Sequence, residues 1–246
     1  MRTGVYEAEA AVEADHWWFA GRRKLFASLI SNLGLPKDAA ILDIGTSTGT
    51  NLRLTRDLGF QNVVGLDASD EAVRFCAEKG LGVVKKGDAC QLPFPENHFD
   101  FILASDIIEH VERDELVLSE ICRALKPGCH ALITVPTFQS LWGLQDEVSL
   151  HLRRYRMRPL LKKVGEAGLT VRYSFYFNYL LFFPIWAARI AMRALGVRFQ
   201  SEAEVNSRLI NRIFTALFLF DVATAPHVRP PFGVSALVLA RKQSSG

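Results

Sequence analysis

The sequence has no C-x-x-C pair. Its four cysteines, Cys76, Cys90, Cys122 and Cys129, stand apart, which excludes a zinc ribbon and a disulfide framework and fits a reducing compartment. There is no G-K-S or G-K-T, so no P-loop. The first residues pass from Met-Arg-Thr-Gly to Glu7, Glu9, Glu13 and Asp15 with no apolar stretch behind a basic start. No signal peptide is expected. The run Tyr173 to Ala188 carries no charge, but it contains Asn178 and Pro184. It is shorter than the roughly 20 apolar residues a spanning helix needs, so no transmembrane segment is expected. Net charge is also scarce, at +3 from 29 basic and 26 acidic side chains, too little to argue for a nucleic-acid partner. These absences lead to a cytoplasmic location as the expectation.

What is present is an ordinary globular composition: 246 residues, 49% hydrophobic and 22% charged, enough for one domain with its own core. The small net charge conceals a division. Residues 1–150 hold 14 basic and 22 acidic side chains, whereas residues 151–199 hold 10 basic and one acidic. Eight of the 26 aromatic residues fall between Tyr173 and Trp186. A basic, aromatic insert therefore sits on an otherwise acidic chain.

Hydrophobic periodicity alternates between strand and helix. Strands are expected at Ala39–Ile44, Val63–Leu66, Gly82–Lys85, Phe99–Ala104 and His130–Val135, with helices at 16–33, 50–58, 70–79 and 112–125. A helix near 158–167, a strand near 169–176, helices near 179–195 and 203–221, and a last strand at Val234–Leu239 follow. The pattern predicts an α/β fold, doubly wound around a mostly parallel sheet. Within this single domain we divide a helical cap (1–36), a cofactor-binding core (37–177), an apolar helical insert (178–231) and a last strand with its tail (232–246).

The informative loop is Asp43-Ile44-Gly45-Thr46-Ser47-Thr48-Gly49, between the first strand and the next helix. Doubly wound sheets bind ligands at the carboxyl ends of their strands, beside helix N-termini. Asp67, at the end of the second strand, is placed for ribose hydroxyls. A dinucleotide fingerprint needs a glycine where Ser47 stands and has no use for a carboxylate at the mouth of the loop. A cofactor with ribose and adenine but no phosphate fits better. S-Adenosyl-L-methionine is such a molecule, and its ammonium suits Asp43.

The stretches Ile41-Leu-Asp-Ile-Gly45, Val64-Gly-Leu-Asp67-Ala-Ser, Gly87-Asp88-Ala89, Leu92-Pro-Phe-Pro95, Phe99-Asp100, Asp106-Ile-Ile-Glu109-His110-Val and Leu125-Lys-Pro-Gly128 resemble class I S-adenosylmethionine-dependent methyltransferases, in the broad group that contains the quinone-biosynthesis enzymes. The resemblance covers roughly residues 37–136. It implies a seven-stranded Rossmann-like sheet with an antiparallel last strand. It also implies that Asp43, Gly45, Thr46, Ser47 and Gly49 surround the methionine part. Asp67 would take the ribose, with Ala68 beside the adenine. Asp88 would meet the adenine amino group, with Ala89 next to it, and Ser105 would stand near the methyl group. Ser47 replaces the middle glycine of the family's D-x-G-x-G-x-G loop, and Cys129 the second glycine of its Pro-Gly-Gly.

Asp106, Glu109 and His110 follow the fourth strand and share a face if that segment is helical. His110, Asp106 and the later His151 are the catalytic candidates, with His110 able to act as a base near neutral pH. Capping of the next helix, or tying loops together, is the plainer reading of Glu109 and His110. Acidic-x-x-Glu-His also resembles the magnesium-binding element of some quinone and small-RNA O-methyltransferases, which His151 would join. The first residue there is Glu rather than Asp, and no metal is expected here. Trp18 on the cap, Arg154 and Tyr155 after the fifth strand, and Tyr179 at the head of the insert are the candidate acceptor contacts. The insert reads equally as a lid on an apolar acceptor, a peripheral contact with the inner membrane, or a homodimer face. The expected activity is methyl transfer to O, N or C of a small apolar or lipid-like acceptor. A cofactor-binding module without turnover is the alternative.

Overall fold

The computed structural model describes residues 5–195 and 208–244. In chain order the elements are α1 (Val5–Val12), α2 (Trp17–Asn32), β1 (Ala40–Ile44), α3 (Thr50–Asp57), β2 (Asn62–Asp67), α4 (Asp70–Glu78), β3 (Val83–Lys86), β4 (Phe99–Ser105), α5 (Asp114–Ala124), β5 (Leu125–Pro136), α6 (Leu144–Val148), α7 (Met157–Glu166), β6 (Leu169–Phe177), α8 (Phe182–Leu195), α9 (Arg208–Val228) and β7 (Ser235–Lys242). The seven strands form one sheet in the order β3-β2-β1-β4-β5-β7-β6. The pairs among β1 to β5 are parallel, and β7 runs antiparallel to both β5 and β6. The doubly wound expectation therefore holds.

Alternation along each strand sorts side chains between two cores. Leu42, Ile44, Ile102, Ala104 and Ile133 face α5 and α7, where Val117, Ile121, Leu160 and Val164 are buried. Ile41, Phe101, Leu103 and Leu132 face α2 and α9, against Phe26, Ile30, Phe218 and Val222. β1 is buried along its whole length, as a central strand covered on both faces must be. α2 and α9 touch at Gly21, where an added Cβ would stand 2.1 Å from the Phe218 ring. Trp18 stacks on that ring at 5.3 Å and 4°.

Three boundaries differ from expectation. Lys126-Pro127-Gly128 lies inside β5, and the register shift between Phe99 and Phe101 absorbs the irregularity. The first insert helix begins at Phe182, because buried Asp221 accepts the backbone N–H groups of Asn178, Tyr179 and Leu180 at 2.6–2.9 Å and holds them out of helix. The second insert helix runs on to Val228, and its expected start at 203–207 lies outside the described residues. At 21 residues it is long and apolar enough to cross a membrane by length and composition, which the sequence reading did not anticipate.

Candidate cofactor and acceptor site

Strand register builds the site. Ile44 of β1 pairs with Leu66 of β2 and with Ala104 of β4, so Asp67 and Ser105 flank Gly45, each one residue beyond. The chain then turns through Gly45 (φ 76°), Ser47 (φ 49°) and Gly49 (φ 87°) into α3. A Cβ on Gly45 would press on Ile107, and one on Gly49 would overlap Leu81. Backbone of this left-handed kind favours glycine, and both glycines meet a close neighbour there.

Asp43 is fully buried. Its Oδ1 accepts from Asn51 at 3.2 Å, and its Oδ2 has no partner. Burial raises its carboxyl to about 7; Asn51 opposes that rise and the Asp67 charge adds to it. Asp67 accepts the N–H groups of Ser47 and Ser69, each at 2.9 Å, and a carboxylate retains acceptor capacity beyond two bonds. Thr46 bonds only backbone oxygens, of Asp43 and Leu66, and so braces the turn. Ala68 is exposed and Ala89 buried. Asp88 is exposed and accepts from the Cys90 N–H at 2.8 Å. Ser105 Oγ lies 3.0 Å from Thr134 Oγ1 and accepts from Arg22.

Sequence reasoning missed α1. This helix packs its acids into the loop after β1. Glu9 accepts from the Ser47 hydroxyl at 2.9 Å, and Glu13 accepts from the Thr48 hydroxyl and pairs with Lys79 at 2.6 Å. Burial is the main cause that raises the Glu9 carboxyl. Tyr6 is buried, and its hydroxyl is raised by that burial and by the Asp67 charge. The available signal was the i, i+4 spacing of Glu9 and Glu13 ahead of the aromatic cap. Arg22, from α2, faces Glu9, Asp43 and Glu109 electrostatically and pairs with Asp106 at 3.0 Å.

Asp106, Glu109 and His110 do not share a helical face. Asp106 takes a positive φ of 52° before a short 3-10 turn over Ile108–His110. Arg22 therefore holds Asp106, while Glu109 and His110 turn toward His151. One ligand atom from each of Glu109, His110 and His151 lies within 4.8 Å of the others. The Glu109 carboxylate is fully buried with neither oxygen bonded. Burial, with help from the Asp106 charge, raises it well above the carboxylate range. Burial and the His151 charge lower His110 to about 4. His151 Nδ1 lies 2.8 Å from Asp146. Burial alone would raise Asp146, but bonds from His151 and Arg154 outweigh it and bring it to about 2. Capping does not occupy Glu109 or His110, since α5 begins at Asp114 with Arg113 before it and no side-chain cap.

Two of the expected acceptor contacts, Arg154 and Tyr155, have partners within the protein. Arg154 grips Asp146 through two bonds of 2.8 and 2.9 Å and donates to the Thr137 carbonyl. Tyr155 is buried and donates to Asp114 at 2.6 Å. Both polar ends are held inside the protein, because the buried acids Asp114 and Asp146 require them. Trp18 is packed against α9, with Arg22 over its ring at 5.4 Å. The Tyr179 hydroxyl lies 2.9 Å from that of Thr224.

Comparison with known proteins agrees with this geometry. Residues 42–133 match a methyltransferase domain model. The chain is 35% identical over 107 residues to sterol 24-C-methyltransferase erg-4 of Neurospora crassa, covering 41% of this chain and 28% of that protein. It is 32% identical over 99 residues to the fatty-acid O-methyltransferase of Mycolicibacterium smegmatis, covering 38% and 36%. The matches thus span about a third of these relatives' own length. Among solved structures, a SAM-dependent methyltransferase from Archaeoglobus fulgidus aligns at TM-score 0.55 and 19% identity, covering 89% of this chain and 94% of that one. The [4+2]-cyclase SpnF aligns at 0.60 and 23%, covering 89% and 80%. At such identities the structures speak for the fold alone. The domain match falls on residues 42–133, the stretch that holds the Asp43–Gly49 turn, and there the chain is similar to S-adenosylmethionine-dependent methyltransferases.

Proposed function

We propose that the protein transfers a methyl group from S-adenosylmethionine to a lipid-like acceptor. The observation that carries this reading is the carboxylate lining of the strand ends. Glu9, Asp43, Asp67, Asp106 and Glu109 gather there, with Arg22 facing all of them but Asp67. The members of this lining that ionise attract an ammonium and a sulfonium and repel a pyrophosphate. Asp43 Oδ2, buried and without a partner, is the acceptor the ammonium would meet. Asp67 would hold the ribose.

The bound cofactor supplies a methyl carbon already activated by its sulfonium. The chain's task is to align the acceptor and exclude water, which proximity makes worth roughly 7–11 kcal/mol. α1 and α2 cover the loop after β1. His110, neutral at pH 7 because burial holds it near 4, would accept a hydrogen bond from a hydroxyl acceptor and, as a weak base, take its proton only as the methyl transfers. Asp146 would fix the ring of His151 through Nδ1. The named substrates of the relatives, a sterol and a fatty acid, support an apolar acceptor, as does the apolar insert.

The test is calorimetry with S-adenosylhomocysteine, followed by methyl release from labelled cofactor over fatty-acid, sterol and quinol acceptors. Binding with transfer is expected. Binding with no transfer would leave a cofactor-binding module, and absence of binding would reject both.

Glu109 favours a second reading, in which a metal ion assists. Its bare buried carboxylate faces two imidazoles. That donor set, one oxygen and two nitrogens, suits zinc better than magnesium, and Asp106 lies outside it. Metal analysis of the purified protein, and activity after chelation, decide this.

A further inference from the structure

We propose that the outward face of α9 docks on an anionic lipid surface, lying along it rather than crossing it. α9 has two unlike faces. The inner one is core: Phe218, Val222 and Ala225 are buried with the residues of α2 and the sheet, and buried Asp221 accepts three backbone N–H groups. The outer one carries Leu209, Ile213, Leu217 and Phe220, which are 69%, 49%, 39% and 60% exposed. Their spacing of four, four and three residues sets them in one stripe roughly 16 Å long. Single exposed apolar residues are ordinary, but a continuous stripe marks a contact.

The inner face decides between crossing and lying flat. Crossing the bilayer would strip Phe218 from the core and place Asp221 in hydrocarbon. Lying flat costs neither and buries the stripe in the headgroup region.

The ends decide between a lipid surface and a second copy. Arg208 and Arg212 are exposed at the amino end, and His227 and Arg229 at the carboxyl end. The one acid of α9, Asp221, is buried. Two copies packed through this stripe, parallel or antiparallel, would set basic end against basic end. An anionic surface answers both ends at once. α8 exposes Phe183 and Trp186 as well, residue types suited to a headgroup layer. Behind α9 stands α2, joined to it by a bond from the Trp17 N–H to the Asn211 side chain at 2.8 Å. The next side chain of interest on α2, Arg22, reaches Ser105 and Asp106. Docking would therefore bring the site within one helix layer of the lipid. The docking itself does not depend on methyl transfer.

Co-flotation of the full chain with vesicles tests this, using phosphatidylcholine alone and phosphatidylcholine with phosphatidylglycerol. Binding to the anionic vesicles is expected, weakening as salt is raised. Arg208→Gln and Arg212→Gln should each weaken it about fivefold, and Ile213→Gln with Phe220→Gln should abolish it. These side chains are exposed, so the variants should keep wild-type melting and S-adenosylhomocysteine binding. The salt dependence of the unaltered chain is a second measurement that needs no variant. Equal binding to both vesicles, no binding, or wild-type binding by the apolar double variant would overturn the proposal. A dimer that the double variant dissolves, with vesicles ignored, would assign the stripe to a second copy instead.

Discussion

Arg22 pairs with Asp106 at 3.0 Å and donates to the Ser105 hydroxyl. Through this contact a helix that precedes the sheet reaches the end of its central strand. The guanidinium is the cation facing four of the five acids of the site: Glu9, Asp43, Asp106 and Glu109.

Replacing Arg22 by Met removes the guanidinium that lies over the Trp18 and Phe26 rings, and with it the charge. The acids then repel one another without the relief Arg22 gave. A loss of about 1–3 kcal/mol is expected for the half-buried pair, or roughly 2–10 °C in melting temperature. A denaturation curve unchanged from wild type would show that solvent, not Arg22, balances these acids.

Asp67→Ala removes the partner of the Ser47 and Ser69 N–H groups along with the proposed ribose contact. S-Adenosylhomocysteine affinity should fall about 10–150-fold, equivalent to roughly 1.5–3 kcal/mol for bonds to a charged group. Calorimetry reads the change. Wild-type affinity would remove Asp67 from the site.

The pH dependence of Asp43 has a defined sign. Its folded carboxyl titrates near 7, above its unfolded value of 3.8. The unliganded fold therefore binds the extra proton between those values and loses stability as pH rises from about 4 through 7. Cofactor binding needs the carboxylate, so affinity should rise by up to about tenfold per pH unit approaching 7 and level off above it. Asp43→Asn should flatten both slopes. Melting and calorimetry between pH 5.5 and 8.5 (roughly the span of the titration) measure them, and equal slopes in the two proteins would contradict the assignment.

His110→Ala should lower turnover about 10²–10⁴-fold if the acceptor loses a proton, while cofactor affinity stays near wild type. His151→Ala should act in the same direction. Single-turnover rates set beside binding isotherms separate the two effects. Undiminished turnover in both variants would leave the buried cluster a structural role.

The local chemistry of the site was legible in the sequence because it depends on near neighbours. Strand–helix alternation, the Gly45–Gly49 turn and the acid at the end of β2 follow from side-chain periodicity and backbone sterics within a few residues, and the structure keeps them. Contacts between distant segments were not legible. Glu13 meets Thr48 across 35 residues, and Tyr155 meets Asp114 across 41. Arg154 reads as a free cation until α6 brings Asp146 to it, and Asp106 reads as a partner of Glu109 until one positive φ turns them apart. Spacing determined which residue types stand at the strand ends. Packing alone decided which of their charges are neutralised inside the protein and which stay open to a ligand, because a buried charge takes whatever partner the fold delivers.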